Sequence, residues 1–133
     1  MTYLLDTDIC ILYLAKRSAK VMRRLQATPM REIAVCSVVK AELFYGAWKS
    51  ANPQQTIARQ RQFLDSLVSL PFDDSAAEVY GRERARLAKL GTPIGIHDLQ
   101  IASIALAHQA TVVTHNTREY GRIAGLQIED WEI

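Results

Sequence analysis

Three acids stand where apolar packing is expected, and carboxylates in such places point to chemistry rather than to folding. Asp6 closes the run Tyr3-Leu4-Leu5, a short stretch of large apolar residues that reads as a buried strand. A carboxylate there must be withdrawn from water, which a strand does not do without return. Glu42 lies in Val38-Val39-Lys40-Ala41-Glu42-Leu43-Phe44-Tyr45-Gly46, where helical spacing sets it between Val38 and Val39 on one side and Tyr45 and Gly46 on the other. Asp98 opens a helix that runs apolar to Ala107 on almost every face, so that helix is expected to be buried, with its acid inward or at its mouth. Carboxylates gathered in one place repel one another and either take up protons or require a cation. Oxygen ligands with no associated Cys/His set suit Mg²⁺ or Mn²⁺, which keep several waters and bind phosphate readily. Two such ions roughly 3.5–4 Å apart would activate a water and stabilise the leaving oxygen of a phosphodiester.

The elements needed to bring these acids together can be read along the chain. After the first strand, Thr7 or Asp8 is positioned to cap a helix over about residues 9–16, and Ser18 caps a second that Pro29 stops. Ile33-Ala34-Val35-Cys36-Ser37 reads as the second strand, followed directly by the Glu42 helix. Pro53 opens a long amphipathic stretch whose apolar face is Ile57, Phe63, Leu64, Leu67 and Val68, and Leu70-Pro71-Phe72 reads as a short strand limited by its proline. Asp73 or Asp74 caps a helix to Leu90 that Gly91 ends, and a loop with glycines at both ends leads to Asp98. Thr111-Val112-Val113-Thr114 is the next strand, Asn116 to Tyr120 turns away from its end, and Leu126-Gln127-Ile128 adds a last short strand. Alternating strands and helices predict a single α/β domain over 1–133, a parallel sheet covered by helices on both faces. The useful crevice of such a sheet lies beyond the carboxyl ends of its strands, where strand order reverses, and Asp6, Glu42, Asp98, Asn116 and Glu119 can all reach it.

Composition narrows the function classes. The chain has 133 residues, 49% hydrophobic and 23% charged, an ordinary globular balance that needs no disulfide framework. Cys10 and Cys36 sit in apolar surroundings without metal spacing and read as reduced core thiols, as expected of a cytoplasmic protein. Asp6 and Asp8 interrupt the amino-terminal apolar run, so no signal peptide is expected, and no run approaches the ~20 residues of a membrane helix. The formal charge is +2, from sixteen basic and fourteen acidic residues. If the acids at 6, 42, 98 and 119 share one site, ten remain against sixteen bases, and the rest of the surface is cationic enough to hold a polyanion. Arg23, Arg24 and Arg118 are candidate phosphate contacts, although a solvated helix face explains such residues as well.

The ordered set Leu5-Asp6-Thr7-Asp8, Ala41-Glu42-Leu43 with Tyr45-Gly46, Gly91-Thr92-Pro93-Ile94-Gly95 followed by Asp98 and Ile101-Ala102, and Val113-Thr114-His115-Asn116-Thr117-Arg118-Glu119-Tyr120 closely resembles the PIN-domain toxins of VapBC toxin-antitoxin systems. The likeness spans nearly the whole chain. It implies a PIN fold, a Mg²⁺-dependent endoribonuclease, a homodimer and neutralisation by a cognate VapB antitoxin, with further assembly on antitoxin binding. Within the family the chain most resembles the enterobacterial type that cuts initiator tRNA in its anticodon region. By position, Asp6 and Asp98 resemble the principal metal ligands and Glu42 the third acid. Asn116 stands where many PIN domains have Asp, and Glu119 matches an acid three residues on. Thr7 and Thr114 match small hydroxyl positions that orient carboxylates or phosphate.

Two other readings compete. Asp6-Thr7-Asp8 after an apolar strand imitates the nucleophile motif of haloacid-dehalogenase-like phosphatases, but Cys10 stands where a hydroxyl is needed and the later lysine has no counterpart. A PIN-fold module that binds nucleic acid or a partner without turnover would keep the fold and lose acids, whereas at least three acids are present.

Overall fold

The computed structural model describes all 133 residues. Five short strands, β1 (Tyr3–Leu5), β2 (Ile33–Cys36), β3 (Val68–Leu70), β4 (Thr111–Val113) and β5 (Ile128–Glu129), form one sheet in the order β3-β2-β1-β4-β5, with every neighbouring pair parallel. Seven helices connect and flank the strands: α1 (Thr7–Leu14), α2 (Ala19–Ala27), α3 (Ser37–Trp48), α4 (Pro53–Leu64), α5 (Asp74–Leu90), α6 (Ile96–Ala107) and α7 (Thr117–Tyr120). β2 and β4 are buried at every residue, as strands covered on both faces must be. Their Val, Ile and Ala side chains join α6 and the inner faces of α1, α3 and α5 in one cluster of 26 buried residues. Each fully buried Leu, Ile or Val there contributes about 1.5–3 kcal/mol. None of the helices is long and apolar enough to cross a membrane.

The expected alternation of strands and helices is present, and the differences lie at element ends. The third strand is Val68–Leu70 rather than residues 70–72, because Pro71 has no N–H for the ladder and the strand stops before it at the sheet edge. Val68 therefore pairs with Ala34 instead of extending the apolar face of α4. The last strand begins at Ile128, where it meets Val112. The first helix starts at Thr7, and its cap is Asp6 itself, whose Oδ1 accepts from the Ile9 N–H at 3.0 Å. Asp8, expected as a cap, is instead an exposed acid of the first turn, where it favours the positive end of the helix dipole. Asp98 is likewise inside the first turn of α6, with Gly95 in the capping position.

An acid that the sequence did not single out holds the helices around the sheet. Glu83 on α5 is 4% exposed and accepts two hydrogen bonds from the Arg86 guanidinium, at 2.9 and 3.0 Å, and one from the Ala124 N–H at 3.1 Å. Arg86 also donates to the Arg122 carbonyl, and the Arg122 side chain donates to the carbonyl of Pro93. This chain of bonds ties α5 to the segment after α7 and to the loop before α6. At the end of α5, Gly91 adopts φ 71°, a left-handed conformation that glycine takes without strain. Together these features set where Asp98 and Glu119 enter the crevice. Glu83→Ala leaves the guanidinium and an N–H without their acceptor, and is expected to lower the melting temperature by roughly 5–10 °C. Glu83→Gln, which can still accept from Ala124, should lose less in the same thermal melt; equal melting of both variants and the parent would show that the network contributes nothing.

Candidate active site

Strand order reverses at β1, which lies between β2 and β4, and the carboxyl ends of these strands open onto the crevice expected of such sheets. Asp6 follows β1 directly. Its own N–H donates to the Val113 carbonyl of β4, so the backbone is still in sheet register where the carboxylate begins. The residue is 5% exposed, and burial pushes its carboxyl up to about 6, against the lowering effect of the Thr114 hydroxyl and the Ile9 N–H.

Glu42 arrives from the second turn of α3, half-buried. Its Oε1 accepts from the Thr7 hydroxyl at 2.7 Å, and its Oε2 lies 3.4 Å from His97 Nδ1. No lysine or arginine pairs with Glu42; the nearby Lys49 lies over the Tyr45 ring, 4.6 Å from its centroid. Asp98 enters from the first turn of α6. Its Oδ1 accepts from the Tyr120 hydroxyl at 3.3 Å and its Oδ2 from the Asn116 amide at 3.4 Å. Burial, and after it the charge of Glu119, raise Asp98 to about 6. The Asn116 amide also donates to Glu119 Oε2 at 2.6 Å, and this bond holds Glu119 below the usual carboxylate range. Asn116 and Glu119 are thus both in the crevice, the amide between the two acids. Thr114 completes the set, accepting from the Asn116 N–H at 2.9 Å while its hydroxyl faces Asp6.

The crevice therefore brings together Asp6, Glu42, Asp98 and Glu119, with Thr7, Thr114 and Asn116 as neutral hydrogen-bonding neighbours. Asp98 feels the charges of Glu119 and Glu42, and Asp6 that of Asp98. Two side chains were missed by sequence reasoning. Tyr120 is fully buried against Asp98, and burial drives its hydroxyl far above its ordinary range, so it stays a neutral donor. Its signal in the sequence was only an aromatic residue after Glu119. His97 reaches Glu42 across the α3 and α6 interface, a contact that spacing along the chain cannot reveal. The arginines are less concentrated. Arg24 is engaged with Glu129 at 2.9 Å and lies over the Trp131 ring, whereas Arg23 and Arg118 are exposed.

An all-oxygen donor set, partly desolvated and with two carboxyls held near pH 6 by burial and one another's charge, fits a hard divalent cation. The four acids do not close into a tight cage. Three ligand-type side chains come within 4.8 Å of one another only at His115, Asp130 and Glu132, where the imidazole is already hydrogen-bonded to Asp130 at 2.8 Å. An open arrangement leaves room for the waters that Mg²⁺ retains.

The PIN domain family matches residues 3–126. The tRNA(fMet)-specific endonuclease VapC of Shigella flexneri is 37% identical over 131 residues, 98% of each chain, and the ribonuclease VapC2 of Rickettsia felis is 38% identical over 133 residues, 99% of each. Among solved structures, DNA-bound VapBC from Salmonella typhimurium superimposes with a TM-score of 0.92 at 37% identity, covering 98% of both chains. PIN-family nucleases generally depend on divalent metal. The phosphatase reading is not supported, since the whole chain matches nucleases and Asp8 is turned to solvent rather than into the crevice. Carboxylates at the carboxyl edge of a parallel sheet, and relatives matched from end to end, lead to one conclusion: the chain belongs to the PIN-domain nucleases, among the VapC ribonucleases of toxin-antitoxin systems.

Proposed function

We propose that this protein is a Mg²⁺-dependent endoribonuclease, Mn²⁺ also serving, that cuts initiator tRNA in its anticodon region and is held in check by a VapB-type antitoxin. The observation that carries the reading is the convergence of Asp6, Glu42, Asp98 and Glu119 on one crevice; the tRNA target is supported by the similarity to the tRNA(fMet)-specific endonucleases of Shigella and Salmonella. Asp6, Asp98 and Glu42 are the metal ligands, and Glu119 is the fourth acid. When bound, the cation supplies Lewis acidity at the phosphodiester and lowers the pKa of the attacking water. Thr7 orients Glu42. Tyr120 and Asn116 orient Asp98, and Asn116 spaces it from Glu119, while Thr114 faces Asp6. Arg23 and Arg118 remain free to meet phosphate away from the scissile bond. The protein acts as a homodimer, in the cytoplasm where its tRNA substrate resides.

The antitoxin's seat is proposed to be a groove of about 720 Å³ bounded by Tyr13, Met22, Leu25, Phe63 and Leu67, with Lys16 and Arg59 also lining it. Its apolar floor suits an amphipathic segment, and the VapBC complexes of relatives make the antitoxin the natural occupant.

Three outcomes are expected. Purified protein freed of antitoxin should cleave total bacterial RNA with Mg²⁺ or Mn²⁺, with sequenced ends concentrated in the anticodon region of initiator tRNA; EDTA and Asp98→Ala should abolish them. Absence of cleavage by metal-loaded wild type would favour a binding module.

The second outcome concerns pH. Asp6 and Asp98 have folded pKa values of about 6, above the unfolded value of about 3.9, so the folded state binds more protons. Stability of the metal-free protein therefore falls as pH rises from about 4 to about 6, by on the order of 3 kcal/mol from Asp6 alone. Asp6→Asn keeps an oxygen for the Ile9 N–H and removes the charge. In EDTA at pH 7.5 it should melt above wild type, with the gain gone at pH 4, and Mg²⁺ should stabilise wild type but not the variant. Identical melting curves under all these conditions would count against the site.

Third, Phe63→Asp or Met22→Glu should weaken antitoxin binding at least tenfold in a titration while RNA cleavage persists. Unchanged affinity in both would place the antitoxin elsewhere.

A further inference from the structure

The helix that delivers Glu42 to the crevice leaves two large aromatic side chains in solvent just beyond it. Tyr45 is 65% and Trp48 63% exposed on α3. Tyr45 follows Glu42 by three residues and Trp48 follows Tyr45 by three, so each is the neighbour of the last along the helix surface. The helix rises about 4.5 Å per three residues, which sets Tyr45 about 4.5 Å and Trp48 about 9 Å along its axis from Glu42.

A scattered exposed aromatic needs no explanation, but these two are interleaved with cations. Lys49 Nζ stands 4.6 Å from the centroid of the Tyr45 ring. On the other flank, the Arg61 guanidinium of α4 lies 5.8 Å from the Phe44 ring, and Phe44, Trp48 and Arg61 border one shallow groove. Apart from Glu42 itself, this stretch presents no acid to solvent: the residues of α3 after Glu42 are Leu43, Phe44, Tyr45, Gly46, Ala47 and Trp48, with Lys49 beyond. A negative, planar ligand is what this surface complements. Unpaired RNA supplies both properties, since its bases stack on aromatic faces and its phosphates meet lysine and arginine.

We propose that Tyr45 and Trp48, with Lys49, form a stacking platform for unpaired nucleotides of the RNA substrate adjoining the bond to be cut. This deepens the ribonuclease reading and rests on it. The platform accepts any base by its face, as stacking is tolerant of sequence, and it rejects a duplex, whose bases are already stacked. Tyr45 and Trp48 are positioning residues; they hold the strand so that its phosphate meets the acids.

Trp48 provides a direct readout. The chain has two tryptophans, and the other, Trp131, is 1% exposed. Single-stranded hexaadenylate added to the Asp98→Asn protein, which should bind without cutting, is expected to quench tryptophan fluorescence, whereas a duplex of equal length should not. Tyr45→Ala and Trp48→Ala should each weaken hexaadenylate binding on the order of tenfold, measured by anisotropy of a labelled strand, with Tyr45→Phe and Trp48→Phe close to the parent. In the Asp98-containing protein the alanine variants should raise KM more than they lower kcat. Unquenched fluorescence and unchanged affinity, in a protein that still cleaves RNA, would overturn the platform and leave the ribonuclease standing. A lower mass by light scattering for Tyr45→Ala, with RNA affinity intact, would overturn it in favour of a contact between copies. RNA neither bound nor cut by wild type would overturn both readings together.

Discussion

The structure is built around an electrostatic conflict at the carboxyl edge of its sheet. Asp6 is almost fully withdrawn from water, and Asp98, Glu42 and Glu119 face the same crevice with no lysine or arginine hydrogen-bonded to any of them. In water such charges would be solvated and separate; here the strands and helices hold them in place. The fold tolerates this because its donors are neutral. The first turn of α1 offers the Ile9 N–H and the positive end of a helix dipole to Asp6, while Thr7, Asn116 and Tyr120 donate to the other acids. These bonds orient the carboxylates without cancelling their charge. A site satisfied by cations of its own would have no use for a metal.

Glu83 makes the contrast within the same molecule. It is as buried as Asp6, yet Arg86 holds it below the ordinary carboxylate range, whereas burial raises Asp6. The difference is the partner. A buried acid with a bidentate guanidinium and a backbone N–H is a structural tie, and this one runs through Arg122 to the loop that precedes Asp98. A buried acid with only neutral donors is held ready for something from outside the chain. The structural acid thereby supports the geometry of the functional ones.

Two surfaces of the molecule outside the acid crevice differ in kind. The groove between α1, α2 and α4 is apolar and deep enough for a protein segment, while the surface of α3 beyond Glu42 is a row of exposed rings with cations beside them. The first suits a partner that must exclude water, and the second a ligand that carries its own charge and is stacked rather than enclosed. A toxin restrained by one macromolecule and acting on another needs two such surfaces on a small domain.

Much of this was legible in the chain. The alternation of apolar strands with amphipathic helices dictates a parallel α/β sheet, because continuous apolar runs must be covered on both faces, and an acid closing such a run marks the sheet's carboxyl edge. Asp6 is recognisable for that reason, and Glu42 and Asp98 because each is an acid set among apolar residues at helical spacing. What the sequence could not specify depends on atoms distant in the chain. The cap of α1 fell to Asp6 rather than to Thr7 or Asp8 because its backbone is still paired with Val113 of β4 when the helix begins. Asn116 and Glu119 could not be ranked from spacing; one amide bridging Asp98 and Glu119 puts both in the site. Glu83 is one of many charges along α5, and only the packing of α5 against the segment after α7 buries it. Local pattern decides which face of each element is apolar, but the environment of a charge is set by what the remainder of the chain brings to it.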